Sequence, residues 1–341
     1  MHKIKMGIVG AGTWGETHAH IYKDYEHAEI TAVCDANLQR ADAFAAKFGI
    51  GEVYQDYKEM AKKSSCDAVA IVTPDFLHAD IAIAFANAKK HLLIEKPLAT
   101  TREDTFRMME SIQKNGVRAM VDLHNRWSPP FQAVKNEIET GAYGNAINAY
   151  IRLNDTKYVP TKMLSWAAQS SIIWFLGSHS LDTLNWLLDD VPEEVYCVSR
   201  KGHLSGMGVD TDDVFQSTII FKKGTIAQME NGWVTPLGNS CINDFKFNMV
   251  LEKGKFDIDA SSHNLVQMTT EEGVINPDTM VANRIFGLYK GFSHESIRSF
   301  IDKLISGEEF HITLEESARV SLALISVLES AAKRTPVKVR Y

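Results

Sequence analysis

This chain of 341 residues has no paired cysteines, no cluster of basic residues and no long apolar run free of polar side chains. Cys34, Cys66, Cys197 and Cys241 stand more than 30 residues apart, so neither a zinc knuckle nor a redox dithiol is encoded locally. They read as reduced thiols. Lysine and arginine total 36 against 43 aspartates and glutamates, a net charge of −7, which argues against a protein that neutralises phosphate backbones and so against nucleic acid as a partner. Residues 163–181 lack a formal charge, but these 19 positions hold Gln169, Gly177, His179 and five serines, too polar a mixture for a membrane span. Glycines and Glu16 interrupt the apolar start before a signal-peptide core forms, so a cytoplasmic protein without membrane association is expected. The 12 histidines contain no HExxH pattern, Asp212-Asp213 reads as a solvated strand start, and no metal is expected.

What is present is an ordinary globular composition, 45% apolar and 23% charged, in a chain long enough for about two domains. Apolar runs at 4–9, 29–34, 68–72, 91–95 and 117–122 alternate with helical-period segments at 14–25, 38–48, 78–88 and 102–115. That alternation predicts βαβ units and a doubly wound parallel sheet, a Rossmann domain over residues 1–122. Beyond it the pattern changes. Ile147, Ala149, Ile151 and Leu153 alternate with Asn148, Tyr150 and Arg152, the signature of a strand with one buried and one wetter face. A helix at 172–188, strands at 195–199, 214–221, 225–233, 245–251 and 255–259, and helices at 295–306 and 314–334 complete an α+β domain over 123–341, with a largely antiparallel, open-faced sheet. Its C-terminal helix is long enough to pack back on the first domain.

Gly10-Ala11-Gly12-Thr13-Trp14-Gly15 follows the first predicted strand and opens the first predicted helix. Gly10 permits the tight turn, Gly12 removes a side chain where backbone must approach a pyrophosphate, and Gly15 allows close packing. The phosphates would meet the N–H groups of the helix start. Twenty residues past Gly15 stands Asp35, placed to accept hydrogen bonds from ribose hydroxyls and to repel a 2′-phosphate. NAD is therefore expected over NADP, since Ala36, Asn37 and Leu38 offer no cation; the bland reading of Asp35 is an N-cap on the next helix.

Thr73-Pro74-Asp75 with His78, and Glu95-Lys96-Pro97, follow two later strands; His124-Asn125-Arg126, Gly177-Ser178-His179-Ser180-Leu181-Asp182 and Glu295-Ser296-Ile297 come further on. With the glycine loop, these segments resemble the Gfo/Idh/MocA oxidoreductases across nearly the whole chain. The resemblance implies hydride transfer between a nicotinamide and a sugar or polyol carbon, and association as homodimers or homotetramers through the C-terminal sheet. It also implies that Thr73, Pro74 and His78 lie along the cofactor, with Glu95 and Lys96 near the nicotinamide. A fixed Lys96 ammonium would stabilise the charge growing on a substrate oxygen, and His179 would exchange its proton near neutral pH. Asp182, three residues on, shares a helix face with His179 and would orient it or anchor the helix.

One position departs from the family's pattern. Polyol dehydrogenases of this kind often carry an aspartate four residues before the histidine, where this chain has Phe175. Phenylalanine moves no proton, so His179 acts alone with Lys96 or another group takes over. Tyr158, Lys162 and Trp166 are candidates to line the substrate space, Arg126 to contact ligand or tie the domains, and Tyr289 is a weaker substrate candidate. Two other readings remain open at this point: a glycosidase of the same fold using NAD transiently, and a non-catalytic dinucleotide-binding regulator.

Overall fold

The computed structural model describes residues 3–261 and 265–341. The chain folds into two compact units, Met1–Leu123 with Arg284–Ser321, and His124–Asn283 with Leu322–Tyr341. The segment 284–321, read from sequence as part of the second domain, thus belongs with the first.

In the first unit the strands are β1 (Ile4–Val9), β2 (Ala28–Cys34), β3 (Glu52–Tyr54), β4 (Ala68–Ile71), β5 (His91–Ile94) and β6 (Ala119–Val121). They form one parallel sheet in the order β3-β2-β1-β4-β5-β6. Met6, Ile8, Val69, Ala70, Ile71, Leu92 and Ile94 are buried without alternation, because helices cover both faces. Those helices are α1 (Thr13–Lys23), α2 (Leu38–Phe48), α3 (Tyr57–Lys63), α4 (His78–Asn87) and α5 (Arg102–Asn115). The winding reverses at β1, between β2 and β4, so the ligand crevice of such a sheet falls at the carboxyl ends of β1 and β4. β3 and α3 escaped the sequence reading: the strand has three residues and the helix seven, too few for a period to register. Asp56, which accepts the Lys58 N–H as N-cap, was the available signal.

The second unit opens with α6 (Pro129–Glu139), also missed, whose start is marked by two prolines after Ser128. Then come β7 (Ala146–Thr156), α7 (Ser178–Leu188), β8 (Pro192–Lys201), β9 (Asp212–Phe221), β10 (Ile226–Thr235), β11 (Asn243–Leu251) and β12 (Gly254–Asp259). Two short ribbons follow, β13 (Met268–Thr270) with β14 (Gly273–Ile275), and β15 (Asn283–Ile285) with β16 (Leu288–Lys290). The helices α8 (Phe292–Ser306) and α9 (Leu314–Lys333) and the strand β17 (Val337–Lys338) end the chain. The large sheet runs β12-β11-β7-β10-β9-β8-β17, antiparallel except for the β7–β10 pair. Its strands alternate: Ala149, Ile151, Leu153, Phe247, Met249, Ile219 and Cys197 are buried, while Ile147, Tyr196, Val198, Ile220 and Ile226 are exposed. The helix expected at 172–188 begins instead as a π-turn over Ile173–Gly177 that passes into α7. Among the described residues no helix is long and apolar enough to cross a membrane.

Candidate active site

The glycine loop fits its expected roles one residue at a time. Gly10 has φ +109°, and a Cβ there would lie 2.2 Å from the Val72 carbonyl oxygen; at Gly15 it would lie 2.0 Å from that of Gly10. A Cβ on Gly12 would meet nothing within 4 Å. Packing therefore fixes Gly10 and Gly15, whereas Gly12 faces open space at the start of α1, where a side chain would occupy a ligand's place. The first amides of α1 have no partner inside the helix, and no side chain caps them at Gly12. This cradle of backbone N–H groups around an unfilled space suits a pyrophosphate.

Asp35 follows β2 and is nearly buried, its carboxylate accepting the Ala11 N–H at 2.9 Å and the Asn37 N–H at 2.8 Å. Asn37, not Asp35, caps α2 by accepting the Arg40 N–H, so the capping alternative is set aside. Arg40 was overlooked: its guanidinium lies 3.5 Å from Asp35, a cation the residues directly after Asp35 do not supply.

Thr73 and Pro74 are partly exposed after β4, and the buried Thr73 hydroxyl has no hydrogen-bond partner among the described residues. His78 corrects the sequence reading. Fully buried, its ring reaches the Pro97 carbonyl at 2.8 Å through Nδ1 and that of Thr73 at 3.1 Å through Nε2. It braces the turns after β4 and β5 and presents no surface to a cofactor.

Glu95, directly after β5, is the hub of a buried network. It accepts the Trp14 indole N–H at 2.7 Å and sits 2.9 Å from His18 Nε2, while His18 Nδ1 is 3.0 Å from the Tyr22 hydroxyl. Trp14, His18 and Tyr22 recur every four residues on one face of α1, a spacing that was legible in the sequence and was passed over. Burial first, then the Asp122 and Glu95 carboxylates, push the Tyr22 phenol well above its ordinary range. Asp122 accepts from Ser296 of α8. Ligand-capable atoms of His18, Glu95 and Asp122 lie within 4.8 Å of one another, but their hydrogen bonds give them a structural task. Lys96, beside Glu95, is partly exposed. His18 and His20 form an HxH pair, which the sequence reading overlooked, with separate partners: His20 stacks on Tyr289 at 4.6 Å, and Arg284 bonds the Tyr289 hydroxyl. Tyr289 is thereby engaged in fastening the β15–β16 ribbon to α1.

In the second unit, His179 is 5% exposed on the first turn of α7. Asp182, fully buried, takes both oxygens to Arg126, at 3.0 Å from Nε and 2.6 Å from Nη2. Asp182 therefore anchors α7 to the turn 124–127, and Arg126, itself buried, is committed to that ion pair. Asn125 donates to Thr183 at 3.3 Å, and the His124 ring lies 4.4 Å from that of His179. Three consecutive residues thus clasp one helix. Ser180 accepts from Asn231 of β10 at 2.9 Å, fixing α7 to the sheet. Trp166 meets Phe175 edge-on at 6.5 Å, both partly exposed, and Tyr158 and Lys162 are exposed in the preceding segment. Asp213 overturns its solvated reading: fully buried, it accepts the His203 and Leu204 amides. All four cysteines are free, three of them buried, with Cys34 pushed up to about 12 and Cys197 to about 11 by burial.

Both halves match models of one family. Residues 4–123 match the oxidoreductase family with an NAD-binding Rossmann fold, and 131–257 match the GFO/IDH/MocA C-terminal domain. The chain belongs to the Gfo/Idh/MocA oxidoreductases. It is 23% identical to the myo-inositol 2-dehydrogenase of Thermotoga maritima over 337 residues, 98% of each chain. It is 29% identical to the 1,5-anhydro-D-fructose reductase of Ensifer adhaerens over 237 residues, 68% of this chain and 70% of that one. The fold is shared with scyllo-inositol dehydrogenase from Lactobacillus casei, solved with NAD(H) and scyllo-inositol bound: TM-score 0.84, 20% identity, 98% of this chain and 99% of that one.

Proposed function

We propose that this NAD-dependent oxidoreductase oxidises a secondary hydroxyl of a sugar, polyol or sugar derivative, with Lys96 and His179 as its reacting side chains. The observation that carries this reading is the match of both halves to one family whose similar members are named a polyol dehydrogenase and an anhydro-sugar reductase, in a chain that retains Glu95-Lys96-Pro97 and Gly177 to Asp182. The open space at Gly12, the amides of α1 and the Asp35 carboxylate would hold the pyrophosphate and ribose of NAD, which supplies the hydride acceptor when bound. Lys96 is assigned the stabilisation of negative charge on the reacting oxygen, through an ammonium that brings its charge without reorganisation. A ring nitrogen of His179 takes the hydroxyl proton. The Arg126–Asp182 pair holds α7, and so His179, in place.

The test is a panel of inositols, aldoses and sugar acids with NAD, following reduced-nicotinamide absorbance. One NADH per product is expected, and His179→Ala should lower kcat by about 10²–10⁴-fold while NAD affinity stays level. Glycoside cleavage without net NADH, or NAD binding without turnover on any member of the panel, would overturn the reading. Tyr196, Val198, Ile220 and Ile226, exposed on one face of the mixed sheet, support association of two or four copies, which sedimentation would read. Free, mostly buried thiols support a reducing, cytoplasmic compartment.

A further inference from the structure

Resting on the dehydrogenase reading, with Lys96 as its charge-stabilising group, we infer that Trp14 is a positioning residue for that lysine: its indole holds Glu95, and through Glu95 the strand end that carries Lys96. A lysine ammonium rides on a long flexible stem, so its place depends first on how firmly the backbone beneath it is held. A reacting group displaced by about 1 Å can lose about 10²-fold in rate. The backbone at Lys96 is held from both sides. Before it, the Glu95 N–H donates to the Ile71 carbonyl at 3.0 Å, and Glu95 Oε1 accepts twice, from the Trp14 indole N–H at 2.7 Å and from His18 Nε2 at 2.9 Å. After it, the Pro97 carbonyl accepts from His78 Nδ1 at 2.8 Å. Glu95, His18 and His78 are buried, whereas Lys96 between them is partly exposed.

Trp14 is the member of this network that reaches the cofactor seat. It stands second in α1, so its amide is among those at the helix start that suit a pyrophosphate, while its side chain leads to Glu95. One residue thus joins the two features that hydride transfer must bring into register, the phosphate cradle and the lysine. The rest of the network fixes the direction of every bond. A carboxylate only accepts, so His18 donates from Nε2 and, as a neutral ring, accepts the Tyr22 hydroxyl at Nδ1, 3.0 Å away. Burial pushes the Tyr22 phenol well above its ordinary range, so it keeps the proton that this bond needs. His18 and Tyr22 are buried and Trp14 is partly exposed, which leaves Trp14 as the link between the floor of the network and its open end. An apolar side chain of the same size could not serve, because the indole N–H is a donor at the edge of a rigid ring.

The experiment reads Trp14→Phe, which keeps an aromatic ring and removes the N–H, with and without NAD. In the cofactor-free protein, peptides spanning residues 93–99 should lose hydrogen-exchange protection. NAD affinity by calorimetry should stay within about twofold of wild type, because the cradle is backbone. In a single turnover with saturating NAD and the best substrate of the panel, NADH formation should slow by about tenfold. Set in Lys96→Ala, the same change should slow the residual rate by less than about twofold, since no lysine is left to misplace. His18→Leu removes the other donor and should move these readings the same way, which keeps the test open if Trp14→Phe folds poorly. Unchanged protection and rate, a loss confined to NAD affinity, or an equal loss with and without Lys96 would overturn the positioning role and leave the dehydrogenase reading standing. Lys96→Ala at the full wild-type rate would overturn the lysine's role and this one with it. A wild type that forms no NADH with any member of the panel would overturn the dehydrogenase reading itself, and with it the positioning role.

Discussion

The two units build their chemistry from different materials. In the first, the candidate groups follow parallel strands in short contiguous stretches: Gly10 to Gly15 after β1, Asp35 after β2, Thr73 after β4, Lys96 after β5. Much of that site is backbone, amides at the start of α1 and carbonyls braced by His78. In the second, the candidate groups are side chains from a helix and a turn more than 50 residues apart, held by a buried ion pair and an imidazole contact. A backbone site fails when its conformation is obstructed. One made of paired side chains fails when either partner goes. The comparison predicts opposite sensitivities to substitution.

The largest effect is expected in the second unit. Arg126→Ala removes the guanidinium that binds both oxygens of the buried Asp182 carboxylate, and breaking a buried ion pair from one side typically costs about 3–5 kcal/mol because the remaining charge loses its counter-ion in a low-dielectric interior. Replacing both partners by apolar residues should recover much of that loss. Denaturant titration of the two variants checks it, and equal losses would mean that the ion pair itself, rather than a stranded charge, holds the turn to α7.

In the first unit the matching contrast lies within one loop. Gly10→Ala puts a Cβ 2.2 Å from a carbonyl oxygen on a residue at φ +109°, and strain of that kind costs about 1–3 kcal/mol. Gly12→Ala meets no protein atom within 4 Å, so Tm should hold while NAD affinity falls about tenfold. Calorimetry with and without NAD separates the two. A Gly12→Ala variant that binds NAD at full strength would remove the phosphate cradle from the site.

These differences also explain what could be read from the sequence. A motif after a parallel strand is contiguous, and the sheet dictates where it lies, so the placement of the glycine loop, Asp35 and the tripeptide carrying Lys96 just past the ends of β1, β2 and β5 was legible from spacing. The clasp on α7 comes from segments whose adjacency only folding creates: Asp182 read as orienting His179 or anchoring its helix, and the anchor is what the structure contains, but its partner Arg126 read as ligand contact or domain tie, because nothing in the sequence marks the two as counter-ions. His78 was misassigned because a fully buried ring and a cofactor-facing one look identical in sequence. Arg40 was missed because one helical turn brings it back to Asp35. The missed His18–Glu95 contact had a visible half, the four-residue spacing on α1, but its partner lies 77 positions away.

The smallest predicted effect concerns pH, and it again separates the units. His20, His91 and His294, all in the first, are held below the ordinary histidine range, in each case mainly by burial. For His91 the cause has a visible counterpart: its Nδ1 accepts the Arg118 N–H at 3.0 Å, so that nitrogen must stay unprotonated, and the Arg118 guanidinium adds repulsion. A depressed histidine contributes its full stabilisation above the unfolded value of about 6.5, and loses it as pH falls through that value towards the folded one, because the unfolded chain then takes up the proton first. Acidification from pH 7.5 to 5.5 should therefore lower Tm by a few degrees, with peptides of the first unit losing hydrogen-exchange protection before those of the second. His91→Asn, which keeps an acceptor for the Arg118 amide without a titrating ring, should flatten part of that slope. Protection lost first from the mixed sheet would show that the pH-sensitive groups lie in the second unit.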